Sequence, residues 1–134
     1  MEIHLKIIGI LLILLSLVHI GFPKKFNWKT EFENVSLVNT QMMYVHTFFI
    51  GLVIFMIGVL CLITSKELVE TRLGQKISFG LGVFWGIRLF FQFFVYSSKL
   101  WKGKTFETVM HVLFSIFWIY LTVVFFVIAN KNCF

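Results

Sequence analysis

The sequence contains no aspartate and only six glutamates in 134 residues. That scarcity argues against carboxylate-rich sites for calcium, magnesium or a di-iron centre. It has one proline and two cysteines. Cys61 lies in an apolar run and Cys133 in the tail, with no C-x-x-C and no Cys/His ligand spacing, so neither a disulfide nor a thiolate metal site is expected. The single proline and the lack of a low-complexity stretch leave no linker, so one transmembrane domain over residues 1–134 is expected. No Ser/His/Asp set, phosphate-binding loop or H-E-x-x-H motif is present. Charged residues make up only 13% of the chain, against about 25% in a soluble domain.

The chain is instead rich in apolar side chains: 59% are hydrophobic and 18 are phenylalanine. Four apolar runs each approach or exceed the roughly 20 residues that a membrane-crossing helix needs. They predict helices over about 5–22, 39–64, 76–98 and 106–129. The expected fold is all-α, an antiparallel bundle of four transmembrane helices with an interfacial first loop. Twelve Lys and Arg give a net charge of +6. All but Arg88 fall at or near the ends of apolar runs, which suits lipid headgroups rather than nucleic acid.

The first run follows Lys6 as a secretory leader would. It lacks an A-x-A-like site, because Gly21 has His19 two positions before it and bulky residues follow Ser16. The segment is therefore read as a retained helix. In the first loop, Lys24, Lys25 and Lys29 alternate with Phe26, Trp28 and Phe32, the pattern of a connector lying at headgroup level. Gly51 and Gly58 on the second run, and Gly82 and Gly86 on the third, offer smooth strips for close helix contact. Orientation stays open. Lys6, Lys66, Arg72, Lys76 and Lys131 on one side balance Lys24, Lys25, Lys29, Lys99, Lys102 and Lys104 on the other.

The third run carries a guanidinium where lipid is expected. Arg88, Gln92 and Tyr96 lie within about 80° of one another on a helix, so they share a face. An intramembrane charge costs about 3 kcal/mol or more and normally faces a partner or cavity. Trp85 joins that face. On the fourth run Thr108, His111, Ser115, Trp118 and Thr122 form a polar-aromatic stripe. Up-down connectivity places His19, His46, Gln92, Tyr96 and His111 in one half of the membrane, with Arg88 deeper, near the middle.

Three readings of this layer follow. His19, His46 and His111 could bind a transition metal with an open position. Alternatively, His46 and His111 could ligate a b-type haem, with Arg88, Gln92 and Tyr96 completing the cofactor site. Met42, Met43 and Met110 add soft sulfur for copper(I). In a second reading the layer is interhelical glue in a non-catalytic subunit of a larger membrane complex. In a third, Arg88 receives an anionic lipid or the phenylalanines hold an isoprenoid, with His111 or His46 as the base if chemistry follows.

Phe84-Trp85-Gly86-Ile87-Arg88, Gln92-Phe93-Phe94-Val95-Tyr96, Leu100-Trp101-Lys102-Gly103 and His111 resemble a family of small uncharacterised bacterial membrane proteins. Asn39-Thr40-Gln41, Val45-His46 and Asn27-Trp28-Lys29 extend the likeness over most of the chain. The resemblance implies a four-helix protein of the bacterial inner membrane and implies no activity.

Overall fold

The computed structural model describes residues 1–95 and 103–131, and every regular element among them is a helix. In order these are α1 (Glu2–Lys25), α2 (Trp28–Glu31), α3 (Leu37–Ile63), α4 (Ser65–Glu70), α5 (Arg72–Phe94) and α6 (Thr105–Ala129). Four of them, α1, α3, α5 and α6, are long and apolar enough to cross a membrane. The protein is an all-α integral membrane protein with four such helices, as a bundle of four spans requires. The chain divides into two compact units, one over residues 3–65 and the other over residues 66–134 with Met1–Glu2.

In the first unit α1 and α3 meet through glycine. A Cβ on Gly9 would lie 2.7 Å from the Gly58 carbonyl oxygen, and one on Gly58 would lie 2.8 Å from the Gly9 carbonyl oxygen. Nearer the other end, a Cβ on Gly51 would stand 3.2 Å from His19 Cβ. Contacts that rise along α1 while falling along α3 make the pair antiparallel. Small residues let backbones approach where lipid supplies no hydrophobic drive between helices. The Gly51/Gly58 strip is therefore a packing seam, as its spacing suggests, and Gly9 is its opposite half.

The sequence-based end of α1 at Phe22 is three residues short. Pro23 sits inside the last turn, where it forfeits only the bond to the His19 carbonyl. Lys24 and Lys25 follow it with favourable charge for a helix C-terminus. Asn27 then adopts a left-handed conformation, φ 50°, and stops the helix. The loop beyond is anchored rather than loose. Trp28 is buried, and its ring lies 5.3 Å from that of Phe32 and 5.3 Å, edge-on, from that of Tyr44 on α3.

The stretch of residues 65–75, between the second and third expected helices, forms α4 and the start of α5. Its Leu68 and Val69 are buried, so the stretch is amphipathic rather than simply polar. Thr71 caps α5 by accepting a hydrogen bond from the Gly74 amide at 2.9 Å. The third span thus starts at Arg72 rather than Lys76 and is described as far as Phe94; its expected end at Ser98 lies outside the described residues. A Cβ on Gly74 would overlap the Glu67 carbonyl and the Leu68 backbone. Gly74→Ala is expected to lose about 2 kcal/mol, since backbone on both sides cannot yield; thermal unfolding in detergent measures it, and an unchanged midpoint would refute the contact.

Helices α5 and α6 run antiparallel. Gly82 faces the Phe126 ring, Gly86 faces Thr122, and Gln92 reaches His111. The buried positions of α6, Ser115, Trp118, Leu121, Val124, Phe125 and Ile128, recur at three- and four-residue intervals and make one stripe.

Candidate functional site

The α5–α6 pair brings three of the expected site residues into a single relay. Arg88 donates from a guanidinium nitrogen to Gln92 Oε1 at 3.2 Å. The Gln92 Nε2 lies 2.9 Å from His111 Nδ1. Arginine can only donate, so the amide must present its oxygen to Arg88 and its NH₂ to the imidazole. His111 Nδ1 is then the acceptor, and the neutral ring carries its proton on Nε2. The charge at one end of the relay thus fixes the tautomer at the other.

The register follows from the helix ends. Arg88 is six residues from the end of α5 and His111 six residues into α6. Each is therefore about 9 Å along its helix from the same end of the antiparallel pair. Arg88 lies in the last third of the described helix, Arg72–Phe94, where residues 76–98 would put it near the middle. A long side chain at that depth can reach toward the interface. Gln92 is 6% exposed, so the relay has a buried centre.

Two tryptophans build the wall beside it. Trp85 and Trp118 stack with centroids 5.1 Å apart and planes at 10°. The Arg88 guanidinium carbon lies 5.0 Å from the Trp118 ring centroid, a cation–π contact. The two indoles are 2% and 4% exposed, and neither N–H finds an acceptor among the described residues. Ser78, two turns earlier on α5, has a buried hydroxyl in the same condition. Buried indole N–H groups are normally bonded. Helical spacing puts Trp85 on the Arg88 face and Trp118 on the His111 stripe, and the structure stacks the two.

The remaining expected residues are placed as follows. His19 lies in the first unit, with Nδ1 2.9 Å from the Leu15 carbonyl oxygen and its ring 4.6 Å from that of Phe22. His46 is exposed on α3. Met42 and Met43 are exposed beside it, and Met110 is half-buried on α6. Tyr96 lies outside the described residues. Among the described residues no group of three or more His, Cys or Glu is placed to hold a metal ion. No protein-family model, curated protein or solved structure matches the chain.

Proposed function

We propose that this integral membrane protein binds the anionic headgroup of a phospholipid on its α5–α6 pair. The observation that carries the reading is the pair of buried indole N–H groups without acceptors among the described residues, set beside a guanidinium. Arg88, Trp85 and Trp118 are donors only, and the relay makes His111 Nε2 a donor as well. Such a set suits a phosphate or carboxylate, which only accepts. The depth of Arg88 suits a ligand whose charge sits at the headgroup level and whose chains remain in the bilayer.

The haem or metal reading asks something else of His111. A metal takes the lone pair of the ligating nitrogen. In the relay the Nε2 lone pair is replaced by a proton, while the Nδ1 lone pair is engaged by Gln92. Freeing Nε2 would turn the amide and set its NH₂ against the guanidinium. Ligation by His46 and His111 therefore costs the relay, whereas headgroup binding retains it. A subunit role needs a docking face, and large apolar side chains are exposed along all four spans without singling one out.

The test is lipid analysis of protein exchanged into nanodiscs that mix phosphatidylglycerol with phosphatidylcholine. Phosphatidylglycerol is expected to be retained through detergent extraction by the parent chain. At least a tenfold loss is expected for Arg88→Ala, in keeping with removal of a charged hydrogen bond of about 1.5–3 kcal/mol. Equal retention of both lipids would sink the proposal. A Soret band or near-stoichiometric iron, copper or zinc in the same preparation would move the site to the cofactor reading.

A further inference from the structure

The first unit shares no residue with the Arg88 relay. Between α1 and α3 lies a cavity of about 340 Å³ whose lining includes His19, Tyr44, Thr47, Phe48, Gly51 and Phe55. That volume is at the small end of the roughly 300–1,000 Å³ range of small-molecule sites. Gly51 keeps it open, because a side chain there would press on His19 Cβ. Its floor is aromatic and aliphatic. Tyr44 ties one wall to the Trp28–Phe32 cluster of the first loop, the segment whose composition fits headgroup level.

Ser16 in the lining is satisfied by the Ile13 carbonyl, but other polar groups of this cavity are not. His19 Nδ1 faces a carbonyl oxygen, which only accepts, so Nδ1 bears the hydrogen and Nε2 of the neutral ring holds a lone pair. Among the described residues nothing bonds that Nε2. Pro23, also in the lining, has no N–H to return to the His19 carbonyl four residues before it. Ser16, Thr64, Ser115 and Thr122 each bond a carbonyl of their own helix, at 2.6 to 2.8 Å. Thr47 makes no such bond, and the Tyr44 hydroxyl has no partner among the described residues. The cavity therefore offers an acceptor at His19 Nε2 and two hydroxyls that can give or take. It carries no fixed charge.

We infer that this cavity binds the hydroxylated ring of a lipid-tailed hydroquinone. A hydroxyl of such a ring donates to His19 Nε2. The ring packs against Tyr44, Phe48 and Phe55, edge or offset as aromatic pairs prefer. The tail leaves past Leu17 and Ile20, which line the cavity and are exposed. The tautomer distinguishes this site from the relay. His19 accepts through Nε2, where His111 donates through it. A hydroquinone ring therefore suits His19, and an anion does not.

The experiment uses the full chain in phosphatidylcholine nanodiscs and a decyl-substituted hydroquinone held reduced. Binding above that to empty nanodiscs is read by equilibrium dialysis, beside the dimethyl ether of the same compound. Saturable binding is expected, about tenfold tighter than for the ether, since the ether has no hydroxyl to donate. His19→Phe is expected to abolish that preference, and His19→Gln, which keeps an acceptor, to restore part of it. Thr47→Val should weaken hydroquinone binding several-fold without changing helical content. Gly51→Val should remove binding of both compounds. Equal affinity for hydroquinone and ether, an undiminished preference in His19→Phe, or binding no greater than to empty nanodiscs would each overturn the inference.

Discussion

Gly58→Val is expected to break the α1–α3 pair and make Cys61 reactive. The contact at Gly58 is backbone on backbone. A Cβ there would meet the Gly9 carbonyl oxygen at 2.8 Å, the Ile13 Cγ1 at 3.0 Å and the Ile13 amide nitrogen at 3.2 Å. A flexible side chain could turn away, but two of these three neighbours are main chain. The helices must separate by more than an ångström or the pair must rotate, and either move also strips the Gly9 seam. Overpacking an ordinary core costs about 1–3 kcal/mol, and a rigid backbone contact belongs at or beyond the upper end. Cys61 lies one turn from Gly58 and is fully buried. With Cys133→Ser as background, a detergent-permeant maleimide should label the parent chain slowly and the Gly58→Val chain at least tenfold faster, the factor that about 1.4 kcal/mol gives in the open population. Equal labelling rates would show that the seam does not hold the pair. Gly58→Ala should fall between the two.

The seam illustrates what the sequence discloses and what it withholds. Gly51 and Gly58 share a helical face by spacing alone, so their half of the contact is legible. Gly9 is not, because nothing in its neighbours marks it as the residue facing Gly58 rather than lipid. The four spans are legible because some twenty apolar residues in a row have few alternatives. Their ends are less so. The start of α5 depends on the Thr71 cap and on Leu68 and Val69 being buried, and charged neighbours conceal both. That four-residue earlier start adds about one turn to the span ahead of Arg88. The Arg88, Gln92 and His111 constellation could be assembled from helical spacing and up-down connectivity. The direction of its hydrogen bonds could not, and that direction separates headgroup binding from metal ligation. The cavity beside His19 was hidden for a similar reason. Its signal is a threonine that makes no bond to its own helix and a proline that gives none to His19.

Gln92→Glu should reverse the His111 tautomer and abolish headgroup binding while the α5–α6 pair survives. In the parent chain the amide has two unlike ends, oxygen toward Arg88 and NH₂ toward His111. A carboxylate of the same length has two like ends, and both accept. It would hold the Arg88 guanidinium as an ion pair and demand a hydrogen from His111 Nδ1, moving the proton off Nε2 in the neutral ring. The hydrogen on Nε2 is lost, and the positive charge that would attract a headgroup is neutralised inside the protein. Gln92→Leu differs in kind. It removes the amide from between the guanidinium and the imidazole and puts no acceptor or donor in its place, a loss of about 0.5–1.5 kcal/mol for each hydrogen bond. Nitrogen-15 chemical shifts of labelled histidine read the tautomers directly. The parent chain should show His111 protonated on Nε2 and His19 protonated on Nδ1. In Gln92→Glu His111 should change to Nδ1–H while His19 stays as it was. Phosphatidylglycerol retention should fall with the His111 change, and a preparation that keeps the lipid after the tautomer has reversed would show that the donor at Nε2 is not what holds it. The same variant would put a lone pair on His111 Nε2, which metal ligation through that nitrogen needs. Zinc binding gained by Gln92→Glu and absent from the parent chain would be the clearest sign that Gln92 decides which chemistry this site accepts.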